Sequence, residues 1–267
     1  LSSLGDVVLT TPVPRLLRKK FPNSEIHFIT KSEYSDIYIN NNNVNKVINL
    51  EHNLKKTIKL LKSEKYDLVI DLHNNLRSNI IKYLLSVKHL TYNKQSFARW
   101  LFSNLKIKLA IKNITKSYIE TLNNLDIEDD DKGLDLFLHE KDLYDINKMP
   151  IEFRNGFYVL VLGGKYKTKR LPVEKSIELC DKINRPIVLI GGKNEYSDSL
   201  KIENFFRKEK DDDDVSDILN KRTTIHNLCG KLSILQSAWV LKLSNVVYSN
   251  DTGFMHIASA LQTVSYT

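Results

Sequence analysis

Three segments of the chain carry residues that could do chemistry, and the first lies at its start. Asp6 lies in the segment Ser2-Ser-Leu-Gly-Asp6, which is predicted to connect the end of a first strand to the start of a first helix. Ligands of open α/β sheets bind at the carboxyl ends of the strands, and Gly5 would permit a tight turn there. Asp6 would then face the ligand cleft. The alternative, and the commoner role for an aspartate at a helix start, is that Asp6 only caps the helix.

The second segment is Ser249-Asn-Asp-Thr-Gly-Phe-Met-His256, in which a predicted strand ends and a helix begins. The backbone N–H groups of Asp251, Thr252 and Gly253 would form a cradle for phosphate, because a helix N-terminus presents unpaired donors and positive partial charge. A plain capping turn explains the same residues equally well, since Asp and Thr are favoured caps. The spacing alone leaves both interpretations open.

The third segment is the cationic loop Gly163-Gly-Lys-Tyr-Lys-Thr-Lys-Arg-Leu-Pro172, which follows another predicted strand. It lacks the spacing of a Walker A loop, G-x-x-x-x-G-K-[ST]. A glycine-bearing, cationic loop at a strand end would suit an anionic leaving group. The alternative is a basic loop that is simply solvated.

Charge in the first half is unevenly placed. Between Asp71 and Glu120 there is no acidic residue, whereas nine cationic ones occur. They are Arg77, Lys82, Lys88, Lys94, Arg99, Lys106, Lys108, Lys112 and Lys116. With aromatic residues among them, this stretch could bind nucleic acid or an anionic lipid head group, or it could be a solvated face. No nucleic-acid-binding motif accompanies it.

Composition limits the class of protein. The chain has 267 residues, 42% of them hydrophobic and 27% charged, with a net charge of +8. This is ordinary globular composition, too apolar for a disordered chain. Two cysteines are too few for a disulfide framework, and no run reaches the ~18 apolar residues of a membrane span. The histidines show no metal-ligand spacing with Cys180 or Cys229, which we expect to pack as small hydrophobic residues.

Predicted strands and helices alternate along both halves, which indicates a mainly parallel sheet with helices on its faces. The pattern weakens between about Glu120 and Asn155, so we predict a boundary there, with Rossmann-like domains over 1–150 and 151–267 and a cleft between them. The predicted strands are 25–30, 44–50, 66–71, 157–162, 186–190 and 245–249. The predicted helices are 13–21, 54–63, 78–85, 173–183, 199–208 and 233–242, with another from about Gly253.

Both ends of the chain read as if they were cut through structured elements. The first residue is Leu1, and 262–267 reads as a strand that has just begun. We therefore expect the sequence to be a piece of a longer protein.

Taken together, these segments resemble the ADP-heptose:lipopolysaccharide heptosyltransferases, glycosyltransferase family nine. The pair S-x-L-G-D near the start and N-D-T-G-x-M-H near the end is specific, although each motif alone is weak. The other matching pieces are Asp71-Leu-His-Asn-Asn-Leu-Arg77, Lys169-Arg-Leu-Pro172, Ile190-Gly-Gly-Lys193 with Glu195, and Leu228-Cys-Gly-Lys-Leu-Ser233. The resemblance implies the α/β fold of GT-B type, with two Rossmann-like domains and the active site in the cleft between them.

The resemblance also implies roles for individual residues. Asp6 looks like the general base that deprotonates the acceptor hydroxyl, and Lys169 like the lysine that contacts the donor's phosphates. The implied donor-binding residues further include Lys165, Glu195, Asp251, Thr252, Gly253 and His256. Gly5, Asn75 and Arg77 are the implied acceptor-binding residues. Two positions depart from the family pattern: Lys165 stands where some members carry a hydroxyl residue, and Phe254 stands where a smaller residue or leucine is common. These differences bear on how the donor is bound more than on the class of reaction.

The implied activity is inverting transfer of a heptose from ADP-heptose to the inner core of lipopolysaccharide, without a metal or other cofactor. The acid-free stretch of the first domain would then fit an anionic glycolipid acceptor rather than nucleic acid. We expect a cytoplasmic enzyme held peripherally at the inner membrane of a Gram-negative bacterium. The alternatives are a family-nine enzyme with another nucleotide sugar or acceptor, and a non-catalytic protein that binds nucleotides or polyanions.

Overall fold

The structure is a computed structural model that describes residues 3–51, 53–94, 113–164, 167–212 and 223–267. The chain forms two compact units, Leu1–Asp135 and Leu136–Thr267. The division falls before the boundary that the sequence predicted at 150/151. Residues 136–150 belong to the second unit because this polar stretch leads into apolar anchors: Met149 and Phe153 are buried, and the 3-10 turn Ile151–Phe153 packs on the strand Pro186–Ile190.

In its described residues, the first unit holds two pairs of parallel strands. Strand β1, His27–Thr30, pairs with β2, Lys46–Asn49, and His27 lies opposite Lys46. Strand β3, Leu68–Asp71, pairs with β4, Lys88–Thr91, and Leu68 lies opposite Lys88. Hydrogen bonds in the described part of this unit connect the strands as these two separate pairs. The helices among the described residues of this unit are α1 Leu4–Leu9, α2 Pro12–Lys20, α3 Asp36–Ile39, α4 Leu54–Ser63, α5 Leu76–Leu85 and α6 Ile114–Ile119.

The core of the first unit lies where α2 and α6 meet the end of β3. Apolar residues at helical spacing bury one face of α2, including Val13 and Leu16, as an amphipathic helix requires. The cluster consists of Val13, Leu16, Leu72, Tyr92, Tyr118, Ile119, Leu122 and Ile127. It therefore fixes the loop after β3, which carries the predicted acceptor residue Asn75 and leads into α5, where Arg77 lies.

The second unit contains a five-stranded parallel sheet in the order β7-β6-β5-β8-β9. Its strands are β5 Tyr158–Val161, β6 Pro186–Ile190, β7 Thr224–Asn227, β8 Val246–Ser249 and β9 Ser265–Tyr266. The helices are α7 Val173–Ile183, α8 Tyr196–Asp212, α9 Ile234–Leu243 and α10 Gly253–Ala260. The central strands are almost wholly buried, which is typical of parallel strands covered by helices.

The two cysteines pack in the core of the second unit, as predicted. Cys180 and Cys229 are both buried and free. Burial raises the pKa of each thiol to about 12, so both remain protonated and unreactive near neutral pH.

Candidate functional site

The loops of the second unit's sheet converge at the carboxyl ends of its strands. The loop after β5 contains Gly163 and Gly164, and the loop after β6 contains Gly191 and Gly192. Leu162 N donates to Ile190 O at 2.7 Å, which ties the first loop to the end of β6. Because the strands are parallel, the loops share one edge of the sheet, where ligands of such folds bind.

Lys169 and Asp251 meet at this edge, although they lie far apart in the sequence. The Nζ of Lys169 is 2.5 Å from Oδ2 of Asp251, and the two side chains are 42% and 58% exposed. An ion pair this exposed contributes only about 0–1 kcal/mol. An incoming diphosphate could therefore take over the ammonium group at little cost.

Glu195 is fixed by the glycine loops and by a neighbouring arginine. Its Oε2 accepts a hydrogen bond from Gly192 N at 3.0 Å, and its Oε1 lies 3.5 Å from Nη2 of Arg170. The Nε of Arg170 also donates to Gly164 O at 2.8 Å. Arg170 was not among the predicted site residues, although it directly follows Lys169. It adds a second cation to the same edge.

The start of α10 lies beside these groups. Thr252 occupies the N-cap position and Gly253 is the first helical residue, but the Thr252 side chain makes no capping hydrogen bond. The amide of Asn250 reaches back to Gly163 O at 3.3 Å. The helix N-terminus thus presents backbone donors that no cap side chain takes up, which suits a phosphate group. His256 lies one turn further along α10 and is half-buried.

Gly163 is required at this edge for two reasons. Its φ is +95°, a conformation that L side chains rarely adopt, and a Cβ added here would lie 2.6 Å from Cδ of Glu195. We expect Gly163→Ala to push Glu195 away from Gly192 and Arg170, and to weaken binding of a nucleotide diphosphate about tenfold. Isothermal titration calorimetry measures this affinity.

Gly133→Ala is the matched control for that substitution. Gly133 has a φ of +72°, but an added Cβ would meet nothing within 4 Å. Both variants therefore suffer backbone strain, and only Gly163→Ala displaces Glu195. Equal nucleotide affinity in the two variants would show that the position of Glu195 does not matter.

Asp6 in the first unit lies inside a helix rather than after a tight turn. Helix α1 already begins at Leu4, so the prediction that Gly5 forms a turn is wrong: Ser3 caps the helix and Gly5 takes helical conformation. The Oγ of Ser3 accepts a hydrogen bond from Asp6 N at 3.2 Å and donates to Asp6 Oδ2 at 2.7 Å. Asp6 is therefore not the N-cap residue, and Ser3 orients its carboxylate.

Two ring side chains lie within electrostatic range of Asp6. Burial lowers the pKa of His73 to about 4, against the opposing influence of Asp6 and Asp71. Burial also raises the pKa of Tyr34 to about 12, with contributions from Glu33 and Asp6. At neutral pH both rings are therefore uncharged, and the negative charge of Asp6 is not cancelled by an imidazolium. Neither ring was predicted as a site residue.

Asp71, at the end of β3, organises the loop that carries His73 and Asn75. Its Oδ1 accepts hydrogen bonds from His73 N at 2.9 Å and Asn74 N at 2.8 Å. Its Oδ2 accepts from Ser78 Oγ at 2.8 Å and pairs with Lys82 Nζ at 2.8 Å. Burial opposes ionisation of Asp71, but these donors outweigh it and hold the pKa below its usual value.

A cavity of about 250 Å³ opens beside this loop. Its polar lining includes Lys31, His73, Asn75 and Arg77. Asn75 Nδ2 lies 3.1 Å from His73 Nδ1; an amide nitrogen can only donate, so the proton of the neutral imidazole resides on Nε2. Asp71 also lines the cavity, but its carboxylate is paired with Lys82, and Lys31 pairs with the exposed Glu33 at 3.1 Å. Arg77 and Lys31 therefore lie beside neutral hydrogen-bonding groups, an arrangement that suits a hydroxylated anion. It contains Asn75 and Arg77, two of the three predicted acceptor residues.

The pair formed by Asp71 and Lys82 is almost fully buried, with side-chain exposures of 4% and 8%. We expect Lys82→Met to lower the free energy of unfolding by about 3 kcal/mol, because it leaves a buried carboxylate without its cation. The double variant Asp71→Asn/Lys82→Met should regain part of the loss. Urea denaturation followed by circular dichroism measures both values, and a loss below about 0.5 kcal/mol would contradict the prediction.

The same pair predicts a pH dependence. The pKa of Asp71 is lower in the folded chain than in the unfolded one. Its ionised form thus stabilises the fold above the unfolded value of about 4, and this contribution is lost as the pH falls through the folded pKa. The wild-type chain should therefore lose more stability than Lys82→Met when the pH drops below about 4.

Some predicted features lie outside the described residues. These are Lys165 in the cationic loop and residues 95–112 of the acid-free stretch. Within the described ranges, no group of three or more His, Cys, Asp or Glu side chains could hold a metal ion. No helix in those ranges is long and apolar enough to cross a membrane.

Known proteins share this sequence pattern and fold. The family described as Glycosyltransferase family 9 (heptosyltransferase) matches residues 54–266. Lipopolysaccharide heptosyltransferase 1 of Campylobacter coli is 24% identical over 290 aligned positions, which cover 100% of this chain and 81% of that protein. Lipopolysaccharide heptosyltransferase 3 of Escherichia coli is 25% identical over 139 residues, covering 46% of this chain and only 41% of that protein.

A solved structure confirms the predicted fold. The E. coli ADP-heptose lipopolysaccharide heptosyltransferase II superposes with a TM-score of 0.76 at 17% identity, covering 99% of this chain and 81% of that one. Identity this low establishes a shared fold and no more. The chain therefore has the predicted α/β fold of GT-B type.

Proposed function

Because the chain belongs to glycosyltransferase family 9, the heptosyltransferase family, we propose that it is an inverting glycosyltransferase. It would move a heptose from ADP-heptose to the inner core of lipopolysaccharide. The observation that carries the proposal is the assembly at one sheet edge of Lys169, Asp251 and Glu195, which lie far apart in the sequence. The solved relative described above is named for the same donor.

The second unit supplies the groups that a nucleotide-sugar donor needs. Lys169, Arg170 and the start of α10 offer positive charge and backbone donors to the diphosphate, whose negative charge grows as the sugar leaves. Glu195, held by Gly192 and Arg170, offers a carboxylate to donor hydroxyl groups. Thr252, Gly253 and His256 complete the proposed donor set. This set neutralises the leaving group with the protein's own cations.

The first unit supplies the acceptor chemistry. The oxygen of the acceptor hydroxyl attacks the anomeric carbon of the heptose, and Asp6 accepts the proton that this hydroxyl loses. The bond between that carbon and the diphosphate oxygen breaks, and its electron pair leaves with ADP. Lys31 and Arg77 of the 250 Å³ cavity attract a carboxylate- or phosphate-bearing acceptor, while neutral His73 and Asn75 bind its hydroxyl groups. We propose that this acceptor is an anionic glycolipid and that the enzyme works at the cytoplasmic face of the inner membrane.

A mass-spectrometric screen tests the proposal. The purified protein is mixed with a de-heptosylated lipopolysaccharide acceptor and, in separate reactions, with ADP-heptose and other nucleotide sugars. We expect a mass increase of one heptose with ADP-heptose alone. Transfer of a different sugar would overturn the donor assignment within the family. Binding of nucleotide without any transfer would overturn the enzymatic role.

A further inference from the structure

Helix α5 turns an apolar stripe toward solvent. Its most exposed apolar side chains are Leu76 at 79% and Tyr83 at 84%, and Ile80 and Leu84 are also exposed. These positions are spaced i, i+4, i+7 and i+8, so they lie on one face of the helix. Contiguous apolar surface of this kind marks an interaction site more often than an isolated exposed residue does.

The opposite side of α5 explains why this stripe cannot turn inward. Lys82 is buried there, where its Nζ contacts Asp71 and donates to Thr91 Oγ1 at 2.8 Å. Asn75 and Ser78 also fix the start of the helix through reciprocal capping hydrogen bonds. Rotation of α5 to bury the stripe would break the Asp71–Lys82 pair, so the fold holds the apolar face outward.

Helix α4 packs beside α5 and contributes positive charge. The helix has no acidic residue, and its exposed residues include Lys55, Lys56, Lys59, Lys62 and Leu60. Glu64 follows the helix but pairs with Lys46 at 2.5 Å. Residues 72–94 likewise contain no acid. The two helices thus form a surface, here called the α4–α5 face, that combines exposed apolar side chains with exposed lysines.

We propose that the α4–α5 face docks on an anionic lipid bilayer. Apolar side chains enter the boundary between head groups and acyl chains, and lysines attract anionic lipids. A second copy of the chain would bring like charges together at this face. Segment 95–112 is also cationic and free of acids, so it would not neutralise the lysines. Charge complementarity therefore selects the bilayer.

The same helix connects this face to the acceptor cavity. Arg77, Ser78 and Ile81 of α5 line the cavity, whereas Leu76 and Tyr83 do not. The inference rests on the proposed function in one respect: a glycolipid acceptor held in the bilayer would reach the cavity along α5. Docking would then raise the local concentration of acceptor without changing the chemistry of transfer.

Vesicle flotation without acceptor tests the docking itself. We expect the wild-type protein to float with vesicles of phosphatidylcholine and phosphatidylglycerol, to bind phosphatidylcholine vesicles far more weakly, and to dissociate as salt rises. Leu76→Gln/Tyr83→Gln should weaken binding about tenfold, whereas Ile151→Gln, at an apolar position of the second unit that is 72% exposed, should bind like the wild type. Equal binding by the wild type and the double variant would overturn the proposal.

Alkylation distinguishes the bilayer from other occupants. The two native thiols are buried and should stay silent, so Tyr83→Cys gives a single reactive site. We expect rapid labelling of the free protein and protection by anionic vesicles. Slow labelling without vesicles at every protein concentration would show that the chain covers its own face. Protection that grows with protein concentration would show a second copy. Either result would overturn the proposal.

Transfer assays separate this inference from the proposed function. Leu76→Gln/Tyr83→Gln should transfer sugar to a soluble, delipidated acceptor at the wild-type rate, and should show a raised KM only for acceptor embedded in vesicles. If neither the wild type nor the double variant transfers sugar, but the wild type still floats with anionic vesicles, the proposed function fails and the docking surface stands. If transfer to embedded acceptor is unaffected by the double variant, docking does not serve the acceptor.

Discussion

Asp6→Ala is expected to lower kcat for glycosyl transfer by about 10²- to 10⁴-fold, the usual contribution of a positioned general base. Without the carboxylate, the acceptor hydroxyl must attack with its proton still attached. The affinity for donor should remain near the wild-type value, because the proposed donor groups lie in the second unit and Asp6 in the first. Single-turnover transfer and calorimetric titration with ADP measure the two effects separately.

Two variants serve as controls for Asp6. Asp67→Asn removes an exposed carboxylate elsewhere in the first unit and should leave kcat unchanged. Ser3→Ala removes the hydroxyl that donates to Asp6 Oδ2 and should lower kcat by less than Asp6→Ala does, since it disturbs the orientation of the base without deleting it. Loss of donor binding in Asp6→Ala, or transfer at the wild-type rate, would overturn the assignment.

The fold of the second unit was largely predictable from local sequence. Helix 173–183 and strand 186–190 were predicted with the bounds that the structure gives, as was helix 54–63 in the first unit. Their apolar residues recur at helical spacing or form a continuous buried run, so the pattern is strong. Strands β4 and β7 were missed. Leu90 is the only buried residue of β4, and β7 is an edge strand with polar residues, so neither contains an apolar run.

The candidate site was predictable only where a short motif carries it. The helix start at Asp251, Thr252 and Gly253 was predicted from its sequence, as was the basic loop containing Lys169. The roles of Arg170 and His73 depend on contacts that only the fold creates: Arg170 meets Glu195, and His73 is neutral because it is buried. The sequence did offer a signal for both residues, because Arg170 lies in the family-like segment 169–172 and His73 in the family-like segment 71–77.

The error at Gly5 has a local physical cause. Gly5 was predicted to form a turn before the helix, but the helix already begins at Leu4 and includes Gly5. The signal that was overlooked is Ser3 followed three residues later by an acidic side chain, a pattern close to the capping box. That pattern places Asp6 in the first turn of α1.

Lys169→Ala is expected to weaken donor binding about 10- to 100-fold, because hydrogen bonds to charged groups contribute about 1.5–3 kcal/mol. It should also lower kcat, since the proposed role of the lysine is to neutralise charge that grows on the departing diphosphate. In the free protein the Asp251 carboxylate pairs with Lys169, whereas the proposed contact of Asp251 with the donor is through its backbone N–H. Asp251→Asn should therefore release the ammonium group and bind ADP at least as tightly as the wild type does. Lys175→Ala is the matched control, because it removes an exposed lysine that pairs with Glu178 on α7. Calorimetry with ADP and steady-state transfer check all three variants. Identical constants for Lys169→Ala and Lys175→Ala would remove Lys169 from the proposed donor site.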